Sequence, residues 1–64
     1  MNMEPVTSSA VSSMGWEEDV MYVRFTSGDT YAYHGVSFDT FESIRDSASI
    51  GRELRNVGVS GVRV

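Results

Sequence analysis

The chain contains no cysteine, no lysine, a single proline and a single histidine. Without cysteine, neither a disulfide nor a thiolate metal site can staple the core, so stability has to come from apolar packing, with self-association as a further source. A lone histidine has no second ligand at a useful spacing, and no metal or other cofactor is expected. Long apolar runs are also missing: the longest is Val20-Met21-Tyr22-Val23, far short of a membrane span. The opening stretch MNMEPVTSSA carries an acid and a proline where a secretory signal needs a basic start and an apolar run. No targeting segment, no membrane partner and a cytoplasmic location are the expectations.

What is present fits one small globular unit spanning residues 1–64. At 64 residues the chain buries only about 60% of the surface its unfolded form exposes, so its core is thin. Hydrophobic residues at 41% and charged residues at 22% suit a folded chain better than a disordered one. The net charge is −4, unevenly spread. Residues 1–48 hold eight acids against Arg24 and Arg45, a net of −6; residues 49–64 hold Glu53 against Arg52, Arg55 and Arg63, a net of +2. An acidic field opposes the many phosphate contacts on which non-specific nucleic-acid binding rests. A small arginine cluster can still hold one phosphate or carboxylate, though solvated charges near a helix end are the more ordinary reading.

Along the chain, residues 1–9 are polar and read as an extended lead-in. Apolar positions at Val11, Met14 and Trp16 suggest a first strand over about Ala10–Trp16, weakened by Ser12, Ser13 and Gly15. Glu17-Glu18-Asp19 is a charged turn. In Val20–Thr26, Met21, Val23 and Phe25 alternate with Val20, Tyr22 and Arg24, the period of a half-buried strand. Ser27-Gly28-Asp29 is a short loop, and Thr30–Val36 completes a hairpin with Tyr31 and Tyr33 on one face. The period then becomes helical: Phe38, Phe41, Ile44 and Ala48 form one stripe behind an N-cap at Ser37. Ser49 can cap a second short helix carrying Ile50, Leu54 and Val57, which Asn56 or Gly58 can end. Residues 58–64 are an edge strand or a frayed tail. Neither a repeat nor a linker between domains is visible. Strands followed by helices predict an α+β fold: a three-stranded antiparallel β-meander, then two short helices packed on one sheet face.

The order and spacing of several residues resemble the KTSC domain. They are Val6, Ser8-Ser9, Met14-Gly15-Trp16, Val23 and Phe25, Gly28, Tyr31-Ala32-Tyr33, Val36, Ser49-Ile50-Gly51 and Asn56. That module is named for its place at the C-terminus of some lysyl-tRNA synthetases, and it also stands alone in bacterial and phage proteins. The resemblance covers roughly residues 6–57 and implies the same small α+β fold. RNA binding is implied only through the attachment to a synthetase. Two departures bear on any shared surface near Arg52: Ser37 stands where the family often has proline, and Arg52-Glu53-Leu54 follows Ser49-Ile50-Gly51 where the family often has an aromatic.

Candidate site residues come with ordinary structural alternatives. Tyr31 and Tyr33 can form a stacking platform for bases, or pack against Phe38, Phe41 and Ile44 as core. Ser49-Ile50-Gly51-Arg52, with Arg55, offers backbone N–H groups, room for close approach and guanidinium groups for an anion, or is a plain helix cap with a close-packed glycine. Ser8 and Ser9 can touch a ligand or satisfy backbone groups at the sheet edge. His34 has Ser8, Ser9 and Asp29 as companions of the right atom types, but a catalytic triad is a geometric object, and no enzyme activity is expected. Packing explains the four methionines and Trp16 better than an adaptable partner surface does.

The expected function is therefore a non-catalytic binding module for RNA or a nucleotide-like anion, drawing on Tyr31, Tyr33, Ser49, Gly51, Arg52 and Arg55. The alternative is a protein–protein or self-associating module with no nucleic-acid ligand, suggested by the thin core and exposed strand edges.

Overall fold

The alternating stretch from Val20 forms the middle of the molecule. In the computed structural model, which describes residues 2–58 and 60–64, it is a six-residue strand with antiparallel partners on both sides. The chain runs β1 (Glu4–Pro5), β2 (Val11–Glu17), β3 (Val20–Phe25), β4 (Thr30–His34), α1 (Phe38–Arg45), α2 (Ile50–Asn56) and β5 (Gly61–Arg63). The strands pair antiparallel in the spatial order β1-β2-β3-β4-β5. No described helix is long and apolar enough to cross a membrane.

The α+β class, the antiparallel sheet and the two helices match the expectation; the strand count does not. Five strands stand where a meander of three was expected: the tail takes its edge-strand alternative as β5, and β1, at two residues, is too short to carry a readable alternation. Each is recruited by a longer neighbour with free backbone groups: Glu4 pairs with Met14, and Tyr31, Ala32 and Tyr33 pair with Arg63, Val62 and Gly61. The lead-in thus contributes a strand at one edge. The tail forms the other edge strand. Met1, one of the four methionines, and Val59, within the 58–64 tail, lie outside the described residues.

The period-2 pattern sets the inner face. Val11, Met14, Met21 and Val23 are fully buried, and Tyr33, Val36, Phe41, Ile44 and Ile50 close the core around them. Both helices therefore cover the same face. Burying a side chain of this size stabilises by about 1.5–3 kcal/mol, which makes this one cluster the main source of stability in a cysteine-free chain.

Ser37 caps α1, its Oγ accepting from the Thr40 backbone N–H at 3.2 Å. The helix is shorter than its apolar stripe implied. At its C-terminus the Asp46 N–H donates to the Glu42 carbonyl at 3.0 Å and the Ser47 N–H to the Ile44 carbonyl at 3.1 Å, and Ser49 N–H donates to Ser47 Oγ at 3.0 Å to turn the chain. Phe41 and Ile44 are buried, whereas Ala48 lies outside the helix and is exposed. Phe38, the first helical residue, is 45% exposed and meets the Trp16 ring edge-on at a centroid distance of 5.3 Å.

Val36 joins sheet to helix, and both of its backbone polar groups are engaged. Its N–H donates to the Asp19 carbonyl at 2.9 Å, and its carbonyl accepts from Trp16 Nε1 at 2.7 Å. At the opposite edge, a Cβ at residue 61 would lie 2.8 Å from the Tyr33 ring, so glycine there leaves the room that the ring occupies.

Two outcomes follow for stability. Trp16→Phe strips the donor from the Val36 carbonyl and should cost about 1–3 kcal/mol in urea denaturation, the penalty of an unpaired buried polar group. Burial, with a smaller contribution from neighbouring Tyr31, raises the Tyr33 pKa above its ordinary value of 10.0. Above pH 10 the unfolded chain releases this proton while the folded chain still holds it, so stability is complete below that pH and falls as pH rises toward the folded value. Denaturation midpoints across alkaline pH should decline in the native protein, with a shallower decline in Tyr33→Phe.

Candidate functional site

The turn that ends α1 brings α2 back beside the chain that enters β2. Between them lies an open groove of about 430 Å³, lined by Ser8 and Ser9 on one side and Ser49, Gly51, Arg52 and Arg55 on the other. Residues some forty positions apart in sequence thus share one concave surface. The remaining candidates lie elsewhere. Tyr33 is part of the core and Tyr31 is half-buried, its ring edge-on to Phe25 at 5.5 Å. Neither tyrosine lines the groove, and Tyr33 is too enclosed to offer a ring face for stacking. His34 is exposed and pairs with Val20, at the end of β3 opposite Phe25, which pairs with Val11 just beyond the serines. The sheet therefore holds His34 apart from Ser8 and Ser9.

The hydroxyls of the groove differ in their commitments. Ser8 Oγ accepts from the backbone N–H groups of Ala10 and Val11 at 3.2 and 3.3 Å, holding the bend before β2. Its own proton remains available for donation. Ser49 occupies the N-cap position of α2 but makes no capping bond with its side chain, so the expected cap is present in place and absent in chemistry. Among the described residues, the Ser9 and Ser49 hydroxyls have no protein partner.

The arginines divide in the same way. Arg45 is fully engaged: it contacts Glu4 at 3.3 Å, Asp46 at 3.1 Å and Glu42 at 3.7 Å, and lies 5.4 Å from the centre of the Phe41 ring. The hydrogen bond to Asp46 raises its pKa, and the surrounding carboxylates add to that. Arg52 and Arg55, three positions apart on α2, are exposed and make no ion pair among the described residues. Glu53 lies between them in sequence but lines a different depression, between α1 and α2, together with Asp39. Two uncompensated guanidinium groups beside uncommitted hydroxyls can bind an anion through charge-assisted hydrogen bonds.

Gly51 sharpens the picture. It sits inside α2, its φ is not in the left-handed region, and a Cβ there would meet no atom within 4 Å. The close-packing explanation of this glycine therefore fails. Glycine in the first turn of a helix is far less costly than in its interior, so its bearing here is the room it leaves beside Arg52.

Sequence reasoning missed two features. Ala10 and Ala48 line the groove, and no sequence signal joined two distant Ser-rich stretches. A second concavity of about 260 Å³, bordered by Glu4, Trp16, Phe38 and Arg45, was also unforeseen, because Phe38 had been assigned to the core stripe. Among the described residues, no group of three or more histidine, cysteine or acidic side chains is placed to hold a metal ion.

A protein of Tsukamurella paurometabola, described simply as "Protein", is 35% identical over 57 residues, covering 86% of this chain and 85% of its own length. The profile of the KTSC domain matches residues 7–56, which reach from just before the Ser8-Ser9 pair to the last residue of α2. The chain is a member of the KTSC domain family.

Proposed function

We propose that this domain is a non-catalytic binding module that captures a phosphate-bearing, nucleotide-like anion in the groove between Ser8-Ser9 and α2. The observation that carries this reading is Gly51: it leaves open space beside Arg52 and Arg55, which make no ion pair among the described residues. Room for close approach and unspent positive charge are what a bound phosphate needs, and the free Ser9 and Ser49 hydroxyls add donors. The net charge of −4 favours a single anionic group over a long polynucleotide, because only these few contacts offset the acidic field. Tyr31 and Tyr33 take no part in this contact; it reads the anion, not a base.

The test is an NMR titration with inorganic phosphate, a mononucleotide and a short RNA in parallel. Chemical shifts should move at Ser9, Ser49, Gly51, Arg52 and Arg55, and Arg52→Gln or Arg55→Gln should weaken binding about tenfold, the worth of one charge-assisted hydrogen bond. Gly51→Ala separates function from folding: it should not lower the stability of the domain, because its Cβ meets no atom within 4 Å, yet it should weaken anion binding. An unperturbed groove at about 10 mM of every ligand would sink the proposal.

A further inference from the structure

The groove between Ser8-Ser9 and α2 has a one-sided chemistry. The guanidinium groups of Arg52 and Arg55 supply donors and no acceptor. Ser8 Oγ receives the backbone N–H groups of Ala10 and Val11, which occupies both of its lone pairs and leaves only its proton to offer. The Ser9 and Ser49 hydroxyls, without a protein partner among the described residues, are free to turn their protons the same way. Among the described residues, no aspartate, glutamate or histidine lines the groove. The acids on the flanking elements are placed elsewhere. Glu53 and Asp39 line the depression between α1 and α2, and Glu4, Glu42 and Asp46 surround Arg45. Asp29, in the turn between β3 and β4, is not a lining residue either.

We infer that the groove selects a terminal phosphomonoester in its dianionic form and passes over the internal phosphodiesters of a polynucleotide. This rests on the anion-capture reading above and narrows it to one ionised group. Charge is the first reason. A monoester at neutral pH carries close to two negative charges, which match two guanidinium groups without an ion pair, whereas a diester carries one. Hydrogen-bond polarity is the second. The dianion presents three oxygens that only accept, and each of these side chains can donate to them. A protonated monoester brings an O–H that needs an acceptor, and Ser8 and both arginines have none to give.

Coulomb's law sets the size of the preference. One further unit charge about 4 Å from two guanidinium groups, in a groove open to water and screened by salt, strengthens binding about tenfold. A free nucleoside monophosphate and the phosphorylated end of an RNA share this chemistry. The net of −6 over residues 1–48 disfavours the second, whose remaining phosphates meet an acidic surface.

NMR titrations with methyl phosphate, dimethyl phosphate and inorganic sulfate test it, read at the amides of Ser9, Ser49, Gly51, Arg52 and Arg55. At about pH 8, methyl phosphate should bind about tenfold more tightly than dimethyl phosphate. By about pH 5 the monoester has taken up a proton, its second pKa being about 6, and its affinity should fall about fivefold. Sulfate stays a dianion throughout and should bind unchanged, which controls for any titration of the protein itself, His34 included. Arg52→Gln should reduce the preference for monoester over diester to about threefold, a change of ratio that a general loss of structure does not produce. A mononucleotide should bind at least as tightly as a short RNA bearing a terminal phosphate, and the same RNA without that phosphate should leave the groove unperturbed. Equal affinity for the two methyl esters, a monoester affinity indifferent to pH, or tight binding of the unphosphorylated RNA overturns the inference while the anion groove stands. No shift with any of these ligands removes the groove itself, and the inference with it.

Discussion

Both backbone polar groups of Val36 are held, and from that constraint the rest of the architecture takes its direction. The residue is only 2% exposed, so an unpaired N–H or carbonyl here would be a severe penalty in so small a core. Asp19, in the β2–β3 turn, accepts the N–H, and the Trp16 indole on β2 donates to the carbonyl. The point where the chain leaves the sheet is thus tied to the opposite side of the hairpin. Ser37 caps α1 one residue later, which leaves the helix little freedom in where it begins. From that start, Phe41 and Ile44 reach the layer of Met21 and Val23.

The position of the groove is a consequence of this sequence of constraints. Because α1 is anchored at its start and ends at Asp46, the Ser47–Ser49 turn falls where α2 can lie beside the chain entering β2. Arg45 reinforces the arrangement by reaching Glu4 on β1 across the edge of the sheet. Exposed ion pairs of this kind contribute little stability, so its main effect is to spend Arg45 locally. The contrast with Arg52 and Arg55 is informative. The chain has nine acids and five arginines, yet among the described residues the ion pairs all involve Arg45, and of the other four arginines Arg52 and Arg55 face the groove.

Some of this was legible beforehand. The hairpin of β3 and β4 could be read because alternation over five or six residues has no competing explanation, and the start of α1 could be read because Ser37 precedes a change of period. The family resemblance rested on residues that the structure spreads across core, turns and groove. Errors gathered at element ends. Phe38 and Ala48 matched the helical stripe, but one is the first residue of the helix and the other lies past its last turn, where periodicity no longer predicts burial. The strand β1 was hidden because two residues cannot carry a pattern, and the tail left an edge strand and a frayed end both open; the conformation of each comes from the neighbour to which it bonds.

Taken alone, the order of residues determined the class of fold, the hairpin, the first helix and the absence of any cysteine-based staple. These depend on local periodicity, capping and composition, which act between near neighbours. Only the tertiary structure decided that Ser8-Ser9 meets Arg52 and Arg55, that Tyr33 belongs to the interior, and that Gly51 faces empty space. Those facts depend on which distant surfaces the closing core brings together, and a single sequence does not encode such distances in any short-range pattern.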